Sequence, residues 1–193
     1  MNNVTVNKSI RLSQHFTLGE MTRTGTGIPN IPSRVIIENL RNICENWLEE
    51  MRRRYNERYV FEEGGRFFEE GGRRKEEGEY FKGREEGGVR SENREEAEEP
   101  IVITSGYRSP EVNRCVGGAH SSNHLTGCAV DIRCVGIEQA IRYAAIVLDI
   151  ADEWKQDFDE LLIERNRKGR YWVHFAVRPP EEGNRRKTLF INV

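Results

Sequence analysis

Long apolar runs are absent from this sequence. No stretch approaches the roughly 20 residues needed to cross a bilayer, so no membrane span is expected. An excess of one charge is absent too: 30 Lys and Arg stand against 32 Asp and Glu, with the two signs interleaved. The net charge of -2 gives no electrostatic case for nucleic acid. Cysteine is sparse, and Cys44, Cys115, Cys128 and Cys134 form no C-x-x-C pair, which argues against a thiolate zinc site. Residues 1–11 contain no apolar stretch of the kind a secretory signal needs, so synthesis in the cytoplasm and reduced, mostly core-filling thiols are expected.

What is present suits one domain over residues 1–193, long enough to bury a core. One stretch departs from the rest. Phe-Glu-Glu-Gly-Gly-Arg occurs at 61–66 and again at 68–73, and Glu-Glu-Gly-Gly returns at 85–88. Short repeats of Glu, Gly and Arg cannot bury a core. Residues from about 56 to 99 therefore read as an insertion at a loop tip, where added length costs little. The alternative is a binding arm anchored by Phe67, Phe68, Tyr80 and Phe81.

Around that insertion the periodicities define a scaffold. Residues 12–21 read as a docking segment and 22–32 as a Gly/Pro/Thr loop. Ser33 is placed to cap a helix whose Ile36, Leu40, Ile43, Trp47 and Met51 keep helical spacing. Ser109 and Pro110 open a second helix. A third covers 137–148 with Ile137, Ala140, Ile141, Ala144 and Leu148 inward, and a separate polar helical turn is expected at 151–158. Strands are predicted at 101–104, 128–133, 160–164 and 171–177, with an edge strand at 188–193. Strands flanked by helices in an irregular order indicate an α+β fold with a small antiparallel sheet.

The chemistry concentrates in Ser122-Asn123-His124-Leu125-Thr126-Gly127-Cys128-Ala129-Val130-Asp131. Alternation over 128–133 puts Ala129 and Asp131 on one face, Val130 and Ile132 on the other. Gly127 can supply a turn that swings His124 back over the strand end. A carboxylate in an apolar run needs a partner, because an unpaired buried charge is costly. His174, on a strand where Trp172, His174 and Ala176 alternate with Val173, Phe175 and Val177, is the candidate third donor. Two His and one carboxylate around an open position form the donor set of a catalytic zinc. His15 reads as structural, and His120, in a glycine-bearing loop, as outside the set. Glu164 ends the strand that a turn at 166–170 joins to the His174 strand, which makes it the candidate general base. Glu160 shares its face and is the second candidate, expected one pleat further from the metal.

The pattern S-x-H-x-x-G-x-A-x-D, preceded by Ser105-Gly106-Tyr107-Arg108-Ser109 and followed by Trp172-Val173-His174, resembles the zinc D-Ala-D-Ala carboxypeptidases of the LAS metallopeptidase group. That group also holds vancomycin-resistance dipeptidases, phage endolysin peptidases and the hedgehog signalling domain. The likeness extends to Leu-Ser-Gln-His-Phe-Thr-Leu-Gly-Glu at 12–20 and Phe-Asp-Glu-Leu-Leu-Ile-Glu at 158–164, where Glu160 replaces a more usual uncharged amide. The resemblance implies a LAS/hedgehog-like fold and one Zn2+ held by His124, Asp131 and His174. It also implies Glu164 as base, Arg108 on the oxyanion, Ser122 on the substrate's terminal group and Trp172 as a pocket wall. The implied substrate is a peptidoglycan stem peptide, cut at or near D-Ala-D-Ala by a monomer. The alternatives are an endolysin-type endopeptidase cutting L-Ala-D-Glu or a cross-bridge, and a non-catalytic zinc module that binds cell wall or a protein partner. Without a secretory signal, the expected setting is a phage or prophage product that meets the wall after lysis or within a virion.

Overall fold

The computed structural model describes residues 7–61 and 98–193. Most of the predicted insertion, with Phe67, Phe68, Tyr80 and Phe81, lies outside the described residues. The docking segment is anchored by Leu12, Phe16, Leu18 and Met21, all buried. Thr17 and Glu20 close a reciprocal capping box on the single turn α1 (Leu18–Met21). His15 is structural in position, its Nδ1 lying 2.6 Å from Glu49 Oε2.

Ser33 caps the long helix as expected, its hydroxyl accepting from Ile36 N at 3.4 Å. Helices α2 (Arg34–Ile43) and α3 (Glu49–Tyr55) run into one another through the π-helical stretch Cys44–Leu48, and Asn56–Phe61 continues as π-helix. The wider π turn brings Cys44 and Leu48 into the core beside the predicted Leu40, Ile43, Trp47 and Met51. Residues 56–61 thus prolong the scaffold helix. Asn56 is buried, donates to Glu99 O at 3.0 Å and accepts from Glu99 N at 2.6 Å. That reciprocal pair ties together the two chain segments that flank residues 62–97.

Strands β1 (Ile103–Ser105), β2 (Ala129–Cys134), β3 (Glu160–Arg165), β4 (Tyr171–Ala176) and β5 (Lys187–Asn192) form one sheet in the order β1-β2-β4-β3-β5. The first four are antiparallel neighbours, but β5 lies parallel to β3, so the sheet is mixed and not wholly antiparallel. The cause is topological. Strand β4 ends beside the start of β3, and a short connection through Pro180–Glu182 begins β5 at that same end on the far side of β3.

The short helix α4 (Pro110–Cys115) starts at the Ser109 cap. Helix α5 (Ile137–Trp154) is one 18-residue helix where a helix plus a separate turn was expected, and it stops at Lys155 with φ 53°. Its buried residues are Ala140, Tyr143, Ala144, Ile146, Val147, Ile150 and Ala151; Ile137 and Ile141, expected inward, are 38% and 53% exposed. The Tyr143 ring packs 4.7 Å from that of Tyr55 and sets this rotation. The helices and the N-terminal segment share one core with Val130, Ile132, Leu161, Val173 and Phe175 of the sheet. The alternate residues of the same strands make the opposite face. Cys44, Cys128 and Cys134 are buried, Cys115 is exposed and all four are free. No helix among the described residues is long and apolar enough to cross a membrane. The architecture is α+β, as the sequence indicated.

Candidate metal centre

Strand register arranges the open face in three rows. The middle row is Asp131, His174, Leu162 and Leu189, paired strand to strand. One step along lie Arg133, Trp172, Glu164 and Ile191; one step the other way lie Ala129, Ala176, Glu160 and Lys187. Antiparallel pairing thus sets Asp131 directly across from His174. His124 arrives from the 3-10 turn Asn123–Thr126, which Gly127 closes with φ 73°, as the sequence predicted. A side chain at Gly127 would also meet Ile36, its Cβ only 2.8 Å from Ile36 Cγ2.

The three predicted ligands therefore meet, buried, with one donor atom from each inside 4.8 Å of the others. Asp131 Oδ1 lies 3.2 Å from His124 Nε2 and 2.9 Å from His174 Nδ1. Metal bonds of about 2.0–2.1 Å in a tetrahedron set donors about 3.3 Å apart, so these separations suit one small cation. His124 Nδ1 sits 2.6 Å from Gly106 O, and a carbonyl only accepts. Its proton is therefore on Nδ1, leaving the Nε2 lone pair facing Asp131. His174 Nε2 lies 3.5 Å from Glu160 Oε2, which directs its Nδ1 towards the cluster in the same way. His120 is exposed and apart.

The electrostatics follow from burial and pairing. Burial pushes the Asp131 pKa up, but the two imidazoles outweigh it and hold the carboxyl below its ordinary range. Burial lowers His174, yet its hydrogen bonds to Asp131 and Glu160 prevail and raise it to about 9. A cation that takes the Nδ1 lone pair must therefore displace a proton.

Glu164 and Glu160 stand on opposite sides of the middle row, so Glu160 is no further from the cluster than Glu164, contrary to the sequence expectation. Their environments differ sharply. Glu160 is held by His174, Asn123 (3.1 Å), Arg185 (3.0 Å) and Lys187 (3.1 Å). The His174 hydrogen bond, opposed in part by burial and aided by Lys187, lowers its pKa to about 2. Glu164 is half-buried opposite Trp172, and burial raises its pKa. Of the two, only Glu164 has its pKa moved above the ordinary carboxylate value.

Arg108 lies beside the cluster but is turned onto it: Nη2 reaches Asp131 Oδ2 at 2.5 Å and Nε reaches Ser105 Oγ at 2.8 Å. Ser122 caps the turn by accepting from His124 N at 3.3 Å. Trp172 stands half-exposed between Arg133 and Glu164. Several supporting residues escaped sequence reasoning. Asn123 joins the His124 turn to β3 through Asp159 Oδ2 at 2.7 Å. Asp159, 0% exposed, is gripped by Arg185 Nε and Nη2, each at 2.7 Å, and by Arg178 Nε at 3.0 Å. The place of Asp159 in the Phe-Asp-Glu-Leu-Leu-Ile-Glu stretch was the available hint; Arg185, in an aperiodic tail, carried none.

No curated protein matches this chain. Residues 87–167 match the family described as Peptidase M15, a stretch that takes in Arg108, His124, Asp131 and Glu164 and stops short of His174. The matched stretch is less than half of the chain, so it marks a likeness to a peptidase family, and the buried His124–Asp131–His174 cluster beside it is a group that could hold a metal ion.

Proposed function

We propose that this chain hydrolyses peptidoglycan stem peptides as a zinc peptidase of the D-Ala-D-Ala carboxypeptidase type. One observation carries the reading: two imidazoles and a carboxylate converge on the sheet face opposite the core, with Glu164, whose pKa burial raises, one strand away. Zinc held by His124 Nε2, Asp131 Oδ1 and His174 Nδ1 would polarise a carbonyl and make water a nucleophile near neutral pH. Glu164 takes the proton from that water and returns it to the leaving amine, a task its raised pKa suits. Glu160 stays ionised and keeps His174 in its ligating orientation. Arg108 neutralises the outer oxygen of Asp131, and its remaining N–H groups stabilise the oxyanion. Ser122 keeps a hydroxyl proton to offer the substrate's terminal group, while Trp172 walls the cleft and excludes water.

The test is incubation of the zinc-loaded protein with a stem pentapeptide and detection of released D-Ala by mass spectrometry. His124→Ala, Asp131→Ala and His174→Ala should each lose zinc and activity, and His120→Ala neither. Full zinc content in His174→Ala would sink the metal assignment. New termini at another bond would retain the peptidase and discard the D-Ala-D-Ala specificity.

A further inference from the structure

Most arginines near the site hold carboxylates: Arg108 pairs with Asp131, and Arg178 and Arg185 pair with Asp159. The β3–β4 turn and the adjoining end of β2 are different. Arg133 and Arg170 line a cavity of about 550 Å³ together with Thr104, Asn166, Gly169 and Trp172. Among the described residues, neither of these two guanidinium groups makes a hydrogen bond or ion pair. Arg165, Arg167 and Lys168 add further positive charge to the hairpin, Arg165 lying 5.6 Å from the Tyr171 ring centroid. The turn is rigid where it matters, since Asn166 Oδ1 accepts from Lys168 N at 3.0 Å and from Arg170 N at 3.1 Å.

This cavity joins the metal centre through Trp172, which pairs across the sheet with Arg133 on one side and Glu164 on the other. Trp172 and Arg133 each lie two residues from a ligand on the same face, a distance of about 7 Å along the strands. A peptide whose scissile bond lies at the cluster would reach the cavity within one or two residues.

We propose that the cavity is a substrate subsite in which Arg133 and Arg170 hold a carboxylate of the peptide being cleaved, from either an acidic side chain or the chain end. This inference rests on the peptidase reading above. A planar carboxylate matches the fork of a guanidinium, and two unpaired guanidinium groups beside an aromatic wall supply charge and an apolar support together. A phosphate-bearing wall polymer would also be attracted by the hairpin, but it would need neither a cavity nor proximity to the cluster.

The experiment compares stem peptides that are ionised or amidated at the D-Glu carboxylate, and ionised or amidated at the C-terminus. KM and kcat are measured with the zinc-loaded protein, and calorimetry follows binding of the cleaved products. Amidation at one of the two positions should raise KM about tenfold, the scale of one charge-assisted contact, with kcat little changed. The position that matters identifies the source of the carboxylate. Arg133→Gln and Arg170→Gln should each raise KM for the ionised peptide about tenfold and shrink the response to amidation. Both side chains are exposed, so thermal unfolding should remain parent-like.

Equal KM for all peptides in the parent, or equal losses on ionised and amidated peptides in the variants, would overturn the subsite and leave the peptidase intact. Losses confined to intact walls would overturn it in favour of polymer binding. Preferential binding of ionised products without cleavage of any peptide would keep the subsite and refute the peptidase reading. Neither cleavage nor preference would refute both.

Discussion

Gly106 couples the N-terminal segment to the metal centre, and Gly106→Ala tests that coupling. An added Cβ would lie 2.4 Å from Met21 O and 3.0 Å from Met21 C and Cα. These are backbone atoms of a fully buried residue, so no side chain can swing aside. The contact is further pinned by Tyr107 N donating to Met21 O at 2.8 Å. Relief requires α1 and residue 106 to separate, an overpacking cost of about 1–3 kcal/mol. At about 2–4 °C per kcal/mol for a chain of this size, Tm should fall by about 2–12 °C. The same movement shifts the carbonyl that accepts from His124 Nδ1 at 2.6 Å. Losing an outer partner of a metal-ligating His weakens metal binding by about 10–100-fold. Thermal unfolding and zinc competition against a chromophoric chelator measure the two effects. Gly25→Ala is the control, because nothing lies within 4 Å of its added Cβ. A lowered Tm with parental zinc affinity would show that the Gly106 carbonyl does not orient His124. Parental values for both would refute the close approach itself.

The two carboxylates on the face should separate by assay. Glu164→Gln should keep zinc and Tm while losing turnover about a hundredfold or more, whereas Glu160→Gln should weaken zinc about tenfold with a smaller loss of turnover; parental turnover in Glu164→Gln would move the base to Glu160. Asp159 supplies a pH test. Burial raises its pKa, but Arg185 and Asn123 outweigh that and hold it below 3.8. A depressed folded pKa stabilises above the unfolded value and is lost as pH falls through the folded one, so denaturant-measured stability should drop below about pH 4. In Asp159→Asn that drop should be shallower, and identical slopes would refute the assignment. Replacing residues 62–97 with a short Gly/Ser linker should leave Tm and hydrolysis of small peptides unchanged, since Asn56 and Glu99 already clip the flanking segments. A collapsed thermal transition would contradict it.

The sequence alone determined the features that rest on local chemistry. Ser33 and Ser109 mark helix starts because a side-chain oxygen must satisfy orphan N–H groups. Alternation along β2 and β4 put Asp131 and His174 on open faces, and Gly127 announced the turn that delivers His124. Those local rules were enough to single out, before any fold was known, the three residues that converge in the folded chain.

Tertiary structure decided what depends on neighbours distant in sequence. The rotation of α5 was set by Tyr143 packing on Tyr55, so helical spacing alone chose the wrong isoleucines as core. The direction of β5 depended on where its connection crosses the sheet, which no periodicity encodes. The sequence ranked Glu164 above Glu160 by its place at the strand end, but both share one face of one strand and local rules say nothing of what surrounds each. Only the folded chain brings His174, Asn123, Arg185 and Lys187 onto Glu160 and leaves Glu164 half-buried against Trp172. A carboxyl's proton affinity is set by what surrounds it in space, so the opposite pKa shifts of the two belong to the tertiary structure.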